Sequence, residues 1–243
     1  MTPLAATGVR VLRQLRHDPR TIALMLVVPC ALLALLRWLY DGNPHMFDKI
    51  GGPLLGIFPF VVMFLVTSVA TLRERSTGTL ERLLTMPIRK SDLIGGYAVA
   101  FGLVAVLQAA LATGLAIGLL GLDVAGPTWL VLVVAVLDAL LGLALGLLVS
   151  AFANTEFQAV QFMPAVVLPQ FLLCGLFVPR DQMQPVLEAI SDVLPLSYAV
   201  DAMVRLTDHT DVDGTLLVDI AVVAGATLAA LGLGALTLRR RTA

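Results

Sequence analysis

The chain has 243 residues, 58% of them hydrophobic and only 14% charged, with a mean hydropathy of +0.93 and a formal net charge of −1. A soluble domain carries about 45–50% apolar and 25% charged residues, so these values exclude a soluble globular protein and point to an integral membrane protein. The two cysteines, Cys30 and Cys174, both lie inside apolar runs and read as packing residues, neither a disulfide framework nor a metal site. At the start, Val9, Leu12, Leu15 and Arg16 recur at helical spacing in a basic segment, which predicts an interfacial helix ending near Pro19. No cleavage site of the A-x-A kind follows this preface, so a cleaved signal is not expected. Six apolar runs then approach or exceed the roughly 20 residues that cross a bilayer. They are Thr21–Tyr40, Pro53–Leu72, Leu93–Leu120, Thr128–Phe152, Gln158–Val178 and Leu216–Leu238. The fold class expected is all-α, one transmembrane domain over residues 1–243.

Charge sets the orientation. On a six-span arrangement, twelve of the sixteen basic residues share one side: Arg10, Arg13, Arg16, Arg20, Arg73, Arg75, Arg82, Arg89, Lys90, Arg239, Arg240 and Arg241. Arg37, Lys49, Arg180 and Arg205 take the other. Lysine and arginine stay in the cytoplasm, so both termini are expected there. The longest polar stretch, Pro179–Thr215, is then external. Within it Met183, Leu187, Ile190 and Leu194 recur at helical spacing among Asp181, Glu188 and Asp192, which predicts a short amphipathic helix at the outer interface.

Between spans 2 and 3 lies RERSTGTLERLLTMP, Arg73 to Pro87, on the cytoplasmic side. Leu80, Leu83 and Leu84 form an apolar ridge at helical spacing, Ser76 and Thr77 offer N-caps, and Pro87 stops the helix. The pattern fits a helix lying on lipid equally with one gripped by a cytoplasmic partner.

The spans carry a few unusual residues. Asp138, about a third of the way into span 4, must face protein or water, since a bare carboxylate in lipid is costly. It reads as a protonated acid bonded to a neighbouring helix, as one near enough the outer headgroups to stay wet, or as a substrate-cation partner or proton relay. Gly142 and Gly146 in span 4, and Gly114 and Gly118 in span 3, form small-xxx-small faces that predict close helix packing. Pro164 and Pro169 interrupt span 5 and turn it toward protein or a cavity. Seven of the ten phenylalanines fall in spans 2 and 5 or at the start of span 5, among them Phe60, Phe64, Phe162 and Phe171. These four read as core packing or as the lining of an apolar substrate path.

Catalytic chemistry has no foothold. His17, His45 and His209 are scattered over different loops, and no metalloprotease or nucleophile motif is present. A P-loop needs glycine one and six residues before its Lys-Ser/Thr pair; Lys90–Ser91 has Arg89 and Leu84 there. If transport is ATP-driven, ATP and its magnesium belong to another polypeptide.

Three blocks give the chain a family likeness. HDPR (His17–Arg20), ERSTGTLERLLTMPI (Glu74–Ile88) and GLFVPRDQMQPVLEAISDVLPLSYAVDAMVRL (Gly175–Leu206) resemble, in order and spacing, the membrane subunits of type-2 ABC exporters. These are the ABC-2 permeases, which include drug-resistance and nodulation-type export proteins. The first block has histidine where the family has arginine, and the second has Met86 between Thr85 and Pro87. The resemblance implies that residues 74–86 are a coupling helix docked on a separate ATPase, through Glu74, Gly78, Thr79, Leu80, Glu81, Arg82, Leu83, Leu84 and Pro87. It further implies two ATPase copies, a second permease (identical or a paralogue), and outer helices re-entering over residues 179–205. Spans 2 and 5 would line the path, with Phe60, Phe64, Phe162, Phe171 and Asp138 as candidates.

The function expected is export of an apolar or amphipathic drug or lipid-like molecule across a bacterial inner membrane. A polysaccharide substrate stays open. The chain is expected to be no enzyme itself and to bind no cofactor, metal or nucleic acid. The alternative is an ATP-independent secondary transporter or channel using Asp138 and the proline-broken span 5; inverted repeats would favour it, and spans 1–3 and 4–6 share no motif.

Overall fold

The computed structural model describes residues 2–76, 89–153 and 155–237. Among these the chain forms nine α-helices: α1 (Pro3–Arg16), α2 (Pro19–Leu39), α3 (Pro44–Ser76), α4 (Lys90–Gly118), α5 (Thr128–Ser150), α6 (Glu156–Leu173), α7 (Pro185–Ser191), α8 (Pro195–Asp208) and α9 (Gly214–Thr237). A 3-10 turn, Arg180–Gln182, precedes α7. Five of them, α2, α3, α4, α5 and α9, are long and apolar enough to cross a membrane. This is an all-α membrane protein.

Local chemistry explains the first junction. His17 closes α1, Asp18 caps α2 by accepting from the Thr21 amide (3.2 Å) and hydroxyl (2.7 Å), and Pro19 takes the first helical position, where its missing N–H costs nothing. HDPR is thus a helix stop followed by a helix start. Further along α2, Pro29 has no N–H to give the Met25 carbonyl. The fully buried Gln108 of α4 donates its side-chain amide to that carbonyl instead, at 2.7 Å. Replacing Gln108 with Met is therefore expected to cost about 1 kcal/mol of stability. In a Pro29→Ala background the helix satisfies the carbonyl itself, and the same replacement is expected to cost little. Thermal unfolding of the four proteins in detergent checks this; additive effects would show that Gln108 does not serve the proline.

The centre of the bundle is the pair α3 and α5. A methyl built on Gly142 would lie 2.8 and 2.9 Å from the carbonyl carbon and Cα of Phe60, and one on Gly146 only 2.5 Å from the Phe64 carbonyl oxygen. The two backbones touch, as the small-xxx-small reading of α5 expects. Helix α8 runs alongside the start of α3, with Thr207 against Gly52 and Met203 against Gly56. Helix α9 packs on α5 and α8, and α1 lies across the start of α4. The Gly96 position there is closed by Thr7, whose Cβ would be 2.5 Å from an added methyl.

Several expectations change. Span 2 was expected from Pro53 to Leu72, with a new helix from Arg73 capped by Ser76 or Thr77. Instead α3 runs unbroken from Pro44 to Ser76, so Arg73 and Glu74 belong to its last turn. Its early start follows from Phe47, which is buried against the core. Thr77 and the rest of the expected coupling helix, residues 78–86, lie outside the described residues. The fifth run, expected over Gln158–Val178, is helical only to Leu173, roughly 27 Å at 1.5 Å per residue, and is not among the five membrane-length helices. Gly175, at φ +92°, turns the chain there. The amphipathic helix expected over Met183–Leu194 is shorter, because Pro185 and Pro195 each start a helix: Leu187 and Ile190 sit on α7, whereas Met183 precedes it and Leu194 caps α8. A methyl built on Gly114 or Gly118 would meet no other element within 4 Å among the described residues, whereas the Gly142 and Gly146 face is packed. Asp138 is near the middle of α5 rather than a third of the way in.

Candidate functional site

At the Ser76 end of α3, three helices meet around Glu74. The Arg10 guanidinium of α1 grips its carboxylate at two points, 3.3 and 2.9 Å, and donates to the Tyr97 hydroxyl of α4 at 3.0 Å. Arg10 also lies 5.8 Å from the Tyr97 ring centroid. Glu74 is only 8% exposed. Two parallel bonds of this kind fix orientation as well as charge. Next to it, Arg73 pairs with Glu156 at the start of α6, at 3.2 Å. Of the nine coupling residues expected from the sequence, Glu74 is thus turned inward. Gly78, Thr79, Leu80, Glu81, Arg82, Leu83, Leu84 and Pro87 lie outside the described residues.

The path candidates divide. Phe60 and Phe64 are fully buried on α3, packed in a core with Leu141, Val167 and Leu196. Phe162 and Phe171 on α6 are part-buried at the edge of the same core, and Phe171 meets Phe177 edge-to-face at 5.2 Å. Asp138 is 1% exposed, and neither carboxylate oxygen has a hydrogen-bond partner among the described residues. Its Oδ2 fills the space that glycine leaves at Gly56, where an added methyl would come within 2.5 Å. The sequence reading of a bond to a neighbouring helix finds no partner there.

At the far end a second polar cluster ties α6, α7, α8 and α9 together. Arg180 pairs with Asp201 (2.6 Å) and with Asp192, and lies 4.8 Å over the Tyr198 ring. Burial by itself would depress the Arg180 guanidinium, but its bonds to Asp201 and Asp192 outweigh this and hold it above its ordinary value. The Tyr198 hydroxyl donates to the Asp192 carbonyl at 2.8 Å, and the Ser191 hydroxyl donates to the Leu173 carbonyl at 2.7 Å, capping α6. Arg205 then reaches Asp213 (3.3 Å) and Asp219 (3.4 Å), which fastens α8 to α9. A methyl built on Gly175 would lie 3.5 Å from the Arg180 stem and 3.6 Å from Asp201. Arg180, Asp192, Tyr198 and Asp201 of the third sequence block therefore make one network, and Arg205 makes a second tie to α9.

Comparison with known proteins bears on what these clusters serve. The profile of the ABC-2 type transporter family matches residues 4–206, most of the chain. The chain belongs to that family. This ABC-2 permease is 26% identical over 182 residues to the probable multidrug ABC transporter permease YbhS of Escherichia coli K12, covering 74% of this chain and 48% of that protein. It is 25% identical over 180 residues to the linearmycin resistance permease protein LnrN of Bacillus subtilis, covering 71% and 46%. With ABC transporter G family member 20 of Dictyostelium discoideum it shares 26% over 164 residues, 67% of this chain and 22% of that protein. The chain spans about half the length of its bacterial relatives or less.

Arg10 and Tyr97 are the residues that sequence reasoning missed in the permease. Arg10 carried a signal only as one of several basic residues before span 1. Nothing in the spacing connects positions 10, 74 and 97; tertiary packing brings them together.

Proposed function

We propose that this chain is the membrane-spanning permease of an ATP-driven exporter, moving an apolar or amphipathic molecule, drug or lipid, out of the cell. A separate ATPase, two copies per complex, binds ATP and magnesium and docks on the segment Glu74–Met86. A second permease, identical or a paralogue, completes the path. In this reading the chain crosses a bacterial inner membrane six times with both termini in the cytoplasm, α6 being the fifth crossing. Helices α7 and α8 re-enter from outside. The multidrug and linearmycin-resistance names of the relatives support an apolar cargo.

One observation carries the proposal. Helix α3 continues without a break into the segment that precedes residue 77, and its last turn is held to α1 and α4 by Arg10 and Glu74. A displacement imposed on the following segment is then passed to α3 and α1 as one body, since packed helices shift as units. Co-expression of the permease with an ATPase subunit tests this. The two proteins should purify together, and inverted vesicles should accumulate a lipophilic dye only when ATP is supplied. A permease that purifies alone and moves the dye under an ion gradient without ATP would be a secondary transporter instead.

Asp138 separates the same alternatives. Asn keeps the size of the side chain, and neither carboxylate oxygen has a hydrogen-bond partner among the described residues, so Asp138→Asn should transport within about twofold of wild type, about 0.4 kcal/mol in barrier. Abolished transport by a normally assembled variant, together with loss of proton-coupled uptake, would favour the secondary transporter.

A further inference from the structure

Beneath α1 the fold leaves a cavity of about 530 Å³, enclosed by α1, α2, α3, α4 and α6. This is the size of a site for a drug-sized ligand or one apolar chain. Its walls are apolar: Leu24, Leu65, Val66, Val69, Phe101 and Val160. Its α1 end is polar, with Gln14, Asp18, Arg73 and Tyr97. Two wall residues also face outward, Leu24 at 61% exposure and Val160 at 45%, so the opening lies on the apolar flank between α2 and α6. A molecule reaching it comes from the bilayer, at the depth marked by the amphipathic α1. The charges at the polar end are of both signs, Asp18 and Glu74 against Arg73, with Glu74 already held by Arg10. Asp18 feels the field of Arg73, and its bonds to Thr21 hold its carboxyl below the ordinary value, so it stays anionic. Arg73 pairs with Glu156 in an ion pair exposed on both partners, the kind that exchanges readily. A guanidinium suits phosphate and a carboxylate suits an amine.

We propose that this cavity is a binding site for a zwitterionic phospholipid of the leaflet on the α1 side, with one acyl chain between α2 and α3, the phosphate on Arg73 and the amine on Asp18. The cavity shares Glu74 with the segment proposed to dock the ATPase, but lipid binding needs neither ATP nor the ATPase and is measured on the permease alone, so the two proposals fail separately.

The test uses the purified full-length permease in detergent and three photoreactive probes with the same acyl chain: a phosphatidylethanolamine, a phosphatidylglycerol and a phosphate-free tertiary amine. Cross-linked peptides are mapped by mass spectrometry, and competition with unlabelled lipid gives relative affinity. The phosphatidylethanolamine should label the segments holding Leu24, Leu65 to Val69 and Val160 in a saturable way. Val69→Trp, which fills the cavity, should remove that labelling. Arg73→Gln, at an exposed position and checked for an unchanged melting temperature, should weaken the phospholipid roughly tenfold, the worth of one charge-assisted bond, and spare the amine probe. Asp18→Asn should erase the preference for phosphatidylethanolamine over phosphatidylglycerol. Labelling spread evenly over outward faces such as Leu107 and Leu228, or undiminished in Arg73→Gln, overturns the proposal. So does stronger labelling of the same segments by the phosphate-free amine.

Discussion

Leu83→Asp is expected to abolish both ATPase co-purification and transport, while the permease still inserts and folds. The ridge Leu80, Leu83 and Leu84 lies outside every predicted span. Buried apolar anchors dominate most protein interfaces, and losing one costs at least about 2 kcal/mol, roughly thirtyfold in affinity. A carboxylate in place of the anchor adds the penalty of burying an unpaired charge. Glu81→Lys should have a milder effect that depends on salt, because rim charges tune rate and partner choice more than affinity. A helix resting on lipid predicts a different outcome: Leu83→Asp loosens that segment from the membrane while the ATPase remains bound. Full recovery of the complex in a pull-down with the Leu83→Asp permease would remove the docking proposal.

The second large effect is expected at the seam of α3 and α5. Gly142→Leu places side-chain atoms where the Phe60 backbone already lies, and backbone cannot rotate aside as a side chain does. Overpacking a well-filled core usually costs about 1–3 kcal/mol and occasionally more; here two helices must separate, so the upper end or loss of folded protein is expected. Gly114→Leu is the control. It has the same small-xxx-small context, but an added methyl would meet no other element within 4 Å among the described residues, so the folded monomer should accept it. Fluorescence-detected size exclusion and a thermal ramp in detergent distinguish the two variants. Equal melting temperatures for Gly142→Leu and wild type would mean that the backbones are not in contact.

The contrast between those glycines shows where sequence information stops. Hydropathy and charge are properties of single segments, so the all-helical membrane class was legible from composition, run lengths and the placement of arginine. The start and stop chemistry of HDPR was legible as well, since a cap and a proline act on their own helix. Pairings across the bundle were not. The same small-xxx-small pattern occurs on α4 and α5, and only the docking of α3 decides that Gly142 is buried and Gly114 open. Glu74 reads from its motif as a charge for a partner, yet the arrival of Arg10 and Tyr97 from two other helices makes it an internal anchor. Phe60 and Phe64 read equally as path or core, and the three-dimensional packing puts both inside the α3–α5 core. Pattern within one helix sets which residues turn away from water or lipid; which neighbour they meet depends on how separate helices pack, and no local spacing encodes that.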